Sequence, residues 1–392
     1  MKRYDSYKDS GVEWIGEIPS GWKSKRFSYS FDIQKGKIPR NLTDFKTINS
    51  LPYLSMEVLR GGEPSEFSNE DNVVKVNRGD IGLLWDGSNS GEIVLINRDG
   101  ILSSTVSLLS VKDKLLSKDF SYYLLKFYEN DFKNNTIGMG IPHVSGDHVR
   151  ESKIILPPLS EQQQIVSYLD TKTSLIDSLI EKTQRKIELL KEKRTSLINE
   201  VVTKGLNPNV EMKDSGVEWI GEIPSHYEVV KLKYVCSVTT GGKDTQDRVE
   251  DGQYPFYVRS PKIERINSYS YDGESVLTVG DGVGVGKVFH YVNGKFEFHQ
   301  RVYKFSDFRR LTGKFFFWFI KHHFIFVTED QNSKSTVDSL RRPLIDEFPF
   351  VIPSTSEQQQ IVEYLDDQTQ LIDKTISIEE KRIELLKEYR QS

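Results

Sequence analysis

Polar and charged side chains in this chain are spaced for gripping a ligand and not for making or breaking bonds. The stretch from Gly280 to Lys287, with glycine at every second position, has the outline of a phosphate-cradling loop. A P-loop needs glycine five residues before the glycine of its Gly-Lys pair, and Asp281 stands there. Val288 follows Lys287 where a Ser or Thr would hold Mg²⁺. The alternate glycines fit a tight strand–turn, or a close approach of backbone to a ligand. The seven histidines include no His-Glu-x-x-His, and His322 and His323, being adjacent, point apart. Cys236 is the single cysteine, which rules out an internal disulfide and a Cys-rich metal site. Spacing assembles no Ser/His/Asp set. There is no Asn-Pro-Pro-aromatic methyltransferase motif and no glycine-rich cofactor motif behind a strand. Acid and Lys pairs resembling nuclease motifs fall on solvated helix faces. The expectation is a chain with no catalytic residue, no metal and no cofactor of its own.

What remains is binding chemistry. Basic and amide side chains on loops are the groups that grip phosphates and read base edges. In the first half the candidates are Lys35, Lys37, Arg40, Ser88, Asn89, His143 and Arg150. In the second they are Lys243, Arg259, Lys262, Arg265, Lys287, Gln300, Arg301, Lys334, Arg341 and Arg342. Any one of them, taken singly, reads better as a solvated surface residue, so the case for nucleic acid rests on architecture. Composition does not announce a polyanion partner: 53 Lys and Arg stand against 57 Asp and Glu, a net charge of −4. Affinity for phosphate would come from local basic faces. With 392 residues, 37% hydrophobic and 28% charged, two or more ordinary domains are possible. No run approaches a membrane span, and Met1-Lys2-Arg3-Tyr4-Asp5 lacks the apolar core of a signal peptide, so a cytoplasmic chain is expected.

The elements that must position these residues come in two copies. Residues 8–20, Lys-Asp-Ser-Gly-Val-Glu-Trp-Ile-Gly-Glu-Ile-Pro-Ser, recur letter for letter at 213–225, an offset of 205 (213 − 8). Ser160-Glu161-Gln162-Gln163-Gln164-Ile165-Val166 recurs at 356–362, an offset of 196 (356 − 160). The chain is a tandem duplication. Its lead-ins have too much Gly and Pro for helix, and Trp14, Ile15, Trp219 and Ile220 are read as anchors that dock them. Between the repeats, blocks 23–156 and 228–352 show little common text. Each reads as a mixed α+β domain. In the first, Phe27–Ile33 alternates as a strand, Arg78-Gly79-Asp80 turns into the apolar Ile81–Trp85, and residues 118–129 have helical spacing. In the second, Val230–Val238 and Ser275–Val279 read as strands, Asn293-Gly294 as a hairpin turn, and 311–327 as a buried aromatic helix.

Residues 160–204 read as one helix, with Ser160 and Gln163 forming a capping box and Gly205 a stop. Ile165, Leu169, Ile176, Leu179, Ile187, Leu190, Leu197 and Val201 make a heptad stripe, with Lys172, Thr183 and Arg194 filling the seam. Such a rod is roughly 65 Å long and needs a partner. Residues 356–390 supply it, with Ile361, Leu365, Ile372, Ile376, Ile383 and Leu386. An antiparallel intrachain pair would bury both stripes and place the two domains at opposite ends, about a pseudo-two-fold axis. Gln162 and Gln358, with Ile165, Leu169, Ile361 and Leu365, are counted with the anchors as scaffold and docking residues.

At the repeated lead-in, and at Leu156-Pro157-Pro158-Leu159-Ser160-Glu161-Gln162-Gln163-Gln164-Ile165, the chain resembles the DNA-specificity subunit of type I restriction-modification systems, over its full length. The resemblance implies two target-recognition domains, each reading half of a bipartite, asymmetric site on double-stranded DNA. It implies helices that fix the spacer and dock two modification (methyltransferase) subunits, and restriction subunits that join that core. S-adenosylmethionine, ATP and Mg would belong to those partners. The domain plan is then 1–157 (lead-in and first recognition domain), 158–205 (first long helix), 206–353 (lead-in and second recognition domain) and 354–392 (second long helix). The second helix stops at the equivalent of Ser196, about two turns short of its own repeat. Two rivals stay open: a nuclease or methyltransferase with recognition domains fused on, and a coiled-coil adaptor whose domains bind protein.

Overall fold

An Asp-Ser-Gly turn opens each half. The computed structural model describes residues 4–138, 140–281, 285–324 and 340–391, in two compact units, Met1–Leu175 and Ile176–Ser392. In the first, the Gly11 amide donates to the Asp9 carboxylate (2.8 Å) and the Val12 amide to the Ser10 hydroxyl (3.1 Å). Gly11 sits at φ +72°, where L side chains are strained. The turn reverses Tyr7–Asp9 onto Glu17–Pro19. The same residues in the second copy make the same turn at Gly216 (φ +72°) and pair Met212–Asp214 with Glu222–Pro224.

Each lead-in then feeds an incoming strand that pairs with the strand leaving the same domain. Lys23–Arg26 lies antiparallel to Lys153–Leu156, and Glu228–Lys231 to Pro349–Ile352. Between these strands each unit builds a head. The first head orders its main sheet Phe31–Lys35, Val106–Val111, Ile81–Leu84, Ile93–Leu95, all antiparallel. The second head has the same order in Ser237–Thr240, Val302–Ser306, Tyr271–Val279, Phe289–Phe298. That sheet continues through Tyr254–Tyr257, parallel to its neighbour, and Ile263–Ile266. The first head has these pieces as a separate small sheet, in which Leu51–Leu54 runs parallel to Gly100–Leu102 and antiparallel to Phe67–Ser68. One topology thus serves two sequences with little common text.

A helix closes each head. Lys118–Asn134 is capped by the Ser117 hydroxyl and buries Phe120, Leu124, Leu125, Tyr128 and Phe132. Gly313–His323 is capped by Thr312 and buries Phe315, Phe316, Phe319 and Ile320. Residues 325–327 of the aromatic stretch lie outside the described residues. The heads have apolar cores of their own, around Phe27, Phe31, Leu125 and Phe132 in one and Val276, Phe305, Phe316 and Phe350 in the other.

Three local expectations within the heads change. Phe27–Ser30 is a helical turn and the strand begins at Phe31, because Phe27 and Phe31, four apart, stack at 4.7 Å and are both buried. Leu232–Tyr234 likewise interrupts Val230–Val238 as a 3₁₀ turn. Asn293-Gly294 makes no hairpin: the strand runs through, and Gly294 (φ +126°) faces Gly273 (φ +148°) across the ladder.

The long helices span Leu159–Lys204 and Thr355–Gln391. The first begins at Leu159, its Gln162 amide bonding the Pro158 carbonyl, so Ser160 is inside the helix and makes no capping box. In the second the box is Ser354 with Glu357: the Glu357 amide donates to Ser354 Oγ (3.3 Å) and the Ser354 amide to Glu357 Oε2 (3.2 Å). Pro158 occupies the equivalent place in the first copy and has no hydroxyl to offer. Within the second unit the two helices pair antiparallel. Asp177, Lys186 and Arg194 meet Arg390, Glu379 and Asp373 in turn, one number rising as the other falls. Ile187 is buried against Ile372, Ile376 and Ile383, with Leu190 and Leu197 alongside. Among the described residues, no helix is long and apolar enough to cross a membrane.

Candidate functional site

Each head is locked to its long helix by the glutamine of the repeated signature. Gln162 is fully buried and bonds three groups. Its Oε1 accepts from the Ser117 amide (2.9 Å), and its Nε2 donates to the carbonyls of Leu115 (2.7 Å) and Pro157 (2.8 Å). Gln358 repeats this on the Thr312 amide and the carbonyls of Arg310 and Pro353. The preceding glutamate ties down the lead-in. Glu161 accepts from Trp22 Nε1 (2.7 Å) and Glu357 from His226 and Tyr227. Burial alone would raise the Glu357 carboxyl, but hydrogen bonds from Ser354 and His226 outweigh it and hold the pKa below the usual range. Trp14 lies against Tyr128 (5.2 Å), and Trp219 against His323 (5.2 Å). Ile165 packs on the first core, while Ile361 and Leu365 are buried in the second; Leu169 is half-buried.

With the frame fixed, the loops at one corner of each sheet converge. In the second head these loops follow Ser237–Thr240, Tyr254–Tyr257 and Tyr271–Val279, and meet the turn before Val302–Ser306. The Gln300 amide donates to the Lys243 carbonyl (2.8 Å) and its side chain to Asp244 (2.8 Å). Asp281 holds Arg301 Nη1 at 2.9 Å and Arg259 Nη1 at 3.4 Å. His299 is buried beneath, its Nδ1 accepting from the Arg301 amide and its Nε2 facing Asp244 at 3.8 Å. Burial pushes the His299 imidazole below its ordinary pKa; Asp244 opposes this, and Arg259 and Arg301 add to it. Gly241 makes the close packing possible, since a Cβ there would stand 1.8 Å from the Phe298 carbonyl oxygen.

The first head builds the equivalent corner. Gly36 occupies the place of Gly241, with a Cβ position 2.1 Å from the Ser103 oxygen. Lys35 pairs with Asp86 (2.8 Å), and His143 bridges the backbone of Asp86. Ser88 and Asn89 are exposed on the following turn, where the Gly87 amide bonds the Pro142 carbonyl. Arg150 lies beside Gly146 and Trp85, with Asp147 at 3.6 Å. Lys37 is exposed two residues past Lys35.

Thus Lys35, Ser88, Asn89, His143 and Arg150 gather in one head, and Lys243, Arg259, Gln300 and Arg301 in the other. The rest lie apart or do other work. The Arg40 amide donates to Glu70 at the small sheet. Lys262 pairs with Glu264. Arg265 donates to the carbonyls of Gly252 and Gln253, and Arg342 to that of Val238 and to Asp346. Arg341 and Lys287 are exposed, and Lys334 is outside the described residues. Sequence reasoning missed the acids that organise the corners, Asp86, Asp244 and Asp281, and the buried His299. A signal existed: Asp86-Gly87 and Asp281-Gly282 are the same dipeptide 195 positions apart (281 − 86). No group of three or more His, Cys, Asp and Glu among the described residues could hold a metal ion. What these corners offer chemically is hydrogen-bond donors and cations held in place by carboxylates.

Known proteins share this plan. The chain is similar to the MjaVIII type I restriction enzyme specificity subunit of Methanocaldococcus jannaschii, 37% identical over 273 residues, covering 69% of this chain and 57% of that one. It is also similar to the EcoDI specificity subunit of Escherichia coli, 30% identical over 172 residues, covering 44% and 38%. The matches thus span little more than half the length of these curated relatives, or less. Among solved structures, one described as the structural basis of complex assembly and conformational transition of the type I R-M system matches with TM-score 0.71 at 17% identity, over 95% of this chain and 96% of that one. The HsdS subunit from Thermoanaerobacter tengcongensis matches with TM-score 0.56 at 15% identity, over 95% of each chain; at these identities the likeness is one of fold. The family model for the type I restriction modification DNA specificity domain matches residues 19–189 and again 224–388, and the chain therefore belongs to the type I restriction-modification specificity-subunit family, with that domain present twice.

Proposed function

We propose that this chain is the sequence-reading subunit of a type I restriction-modification complex. Each head reads one half of a bipartite, asymmetric site in double-stranded DNA. The long helices set the spacer and dock two modification subunits, to which restriction subunits are added. Methylation and ATP-driven cleavage, with their S-adenosylmethionine, ATP and Mg, reside in those partners, in the cytoplasm, and this chain is not itself an enzyme. The observation that carries the reading is the pair of equivalent corners: one topology presents Lys35, Ser88, Asn89 and His143 in one head and Lys243, Arg259, Gln300 and Arg301 in the other. Different donors on the same frame suit two different half-sites. With a net charge of −4, tight binding draws on basic surface supplied by the partners, and falls steeply with salt.

The test is to express the chain with its neighbouring modification subunit and map methylated adenines across the host genome. A two-part motif with a fixed spacer is the expected result. Exchanging residues 23–156 for another block changes one half-site and leaves the other. A complex that forms but marks no motif, or no complex at all, overturns the reading.

A further inference from the structure

The loops of the two heads have little common text, yet each head puts an aspartate at the same place. Asp86 follows Ile81–Leu84 and Asp281 follows Tyr271–Val279, the equivalent strands of equivalent sheets. The cations that meet them come from different elements. Lys35 ends the edge strand of the first head's main sheet. Arg301 lies in the turn before Val302–Ser306, and Arg259 in the loop after Tyr254–Tyr257. The acid's position is common while the origin of its cation is not. A role for the acid in directing whichever cation its head supplies accounts for that pattern.

Folding stability does not account for it. Both carboxylates and their partners are partly open to solvent, with Asp281 27% and Arg301 54% exposed, and pairs of that kind contribute little to folding. The surroundings instead hold the pair still. The Gly280 amide donates to the Arg301 carbonyl (2.8 Å) and the Arg301 amide to the buried His299, so the backbone on both sides of Arg301 is fixed. In the first head Gly36, pressed on Ser103, fixes the backbone next to Lys35. A guanidinium bonded to a carboxylate through Nη1 alone, as Arg259 and Arg301 are, leaves its Nε–H and Nη2–H donors for a ligand. Two parallel N–H donors match the O6 and N7 acceptors on the major-groove edge of guanine, and a lysine ammonium reaches the same pair.

We propose that Asp86 and Asp281 are positioning residues for base reading, each aiming the cations of its own head at a guanine in its own half-site. This rests on the DNA-reading function proposed above. The experiment uses the full chain co-expressed with its modification subunit, presented with a pool of random-sequence duplexes, and reads selectivity position by position. Asp281→Asn keeps the shape and removes the charge. The expected result is a loss of selectivity of about tenfold or more at one guanine of one half-site. The other half-site stays as it was, and affinity for duplexes of arbitrary sequence does not fall. Asp86→Asn does the same to the opposite half-site.

If the wild-type complex selects a two-part motif and both variants select it with unaltered preference at every position, the positioning role is wrong while the DNA-reading function stands. A loss spread evenly over all sequences also overturns it, since it marks a phosphate clamp. A wild-type complex that selects nothing removes the parent function, and the inference with it. If Asp281→Asn fails to fold by circular dichroism, Arg301→Met decides the matter. Losing the cation should cost the same guanine preference, and an unchanged motif refutes the proposal.

Discussion

The first head breaks the hairpin that the second keeps whole. In the second, Tyr271–Val279 and Phe289–Phe298 run unbroken and pair from Tyr271 against Phe296 to Thr278 against Phe289. In the first, the matching path is cut into Lys75–Val76 and Ile81–Leu84 on one side and Ile93–Leu95 and Gly100–Leu102 on the other. The cut falls at Asn77-Arg78-Gly79-Asp80, where Gly79 has φ +88°. Strand order survives it, because order depends on which apolar residues reach the core and on where the frame delivers the chain ends. The two lead-ins are identical for thirteen residues, yet Trp14 is 49% exposed while Ile220 is buried and Trp219 half-buried. In the second unit Ile198, Val201 and Val202 join the cluster around Ile220 and Tyr227. Divergent sequences share a topology, and identical ones differ in environment.

If the two corners are equivalent, damage to them should be equivalent. Gly36→Ala and Gly241→Ala each drive a methyl group into a backbone carbonyl and should each destabilise the chain by about 3 kcal/mol or more, read by denaturant unfolding. Tolerance at one site alone would break the comparison. Next in size, Gln162→Leu and Gln358→Leu each strand one amide and two carbonyls at the joint of head and helix. A loss of about 2–4 kcal/mol is expected from each, matched between the heads.

Acid should separate the heads. Tyr128 and His323 hold the same helical position, and each lies against its lead-in tryptophan. Burial lowers the His323 pKa from 6.5 to about 4, and that of His322, beside Lys321 and Arg194, to about 3. Burial raises the Tyr128 phenol, which stays neutral throughout. A lowered imidazole pKa means the unfolded chain takes up protons first, so the second head is fully stabilised above pH 6.5 and loses stability as pH falls toward 4. The loss by pH 5 should be on the order of 2 kcal/mol for each imidazole. Hydrogen exchange should show Gly313–His323 loosening before Lys118–Asn134, and His323→Tyr should shrink the difference. Simultaneous loosening would refute it. The smallest effect belongs to the helix pair: Arg390→Gln, losing its contact with the solvent-exposed Asp177, should cost about 0.5 kcal/mol or less in thermal unfolding and alter neither head.

The frame was legible in the sequence because it is written twice, and because a heptad stripe is a long, redundant signal. Ile187 and Ile376 could be read as seam residues with no structure in hand. The common topology of the heads was not legible. Ile81–Leu84 is buried at every position and shows no alternation, and Phe27 with Phe31 alternates like a strand while packing like a helix. At the corners, side chains far apart in sequence converge on one carboxylate, as Arg259 and Arg301 do on Asp281. No spacing rule anticipates that. Arg265 and Arg342 show the converse, since their donors are spent on carbonyls that only the fold brings near. The capping box failed at Ser160 because both long helices start one residue earlier, at Leu159 and Thr355; the cap position is then Pro158 in the first copy, with no hydroxyl, and Ser354 in the second, which makes the box.

The pairing of each incoming strand with its outgoing strand bears on how such chains diversify. Arg26 faces Lys153, and Lys231 faces Pro349, so each head leaves the frame and returns to it at neighbouring points. To the frame, a head is a closed loop whose ends are already held together. Loop-closure entropy grows only with the logarithm of length, about 0.6 kcal/mol for each doubling. Lengthening, shortening or wholesale replacement of a head therefore scarcely taxes the folding of the frame. Mutation can wander through the corner loops of the heads at a rate that the seam of helices would never tolerate.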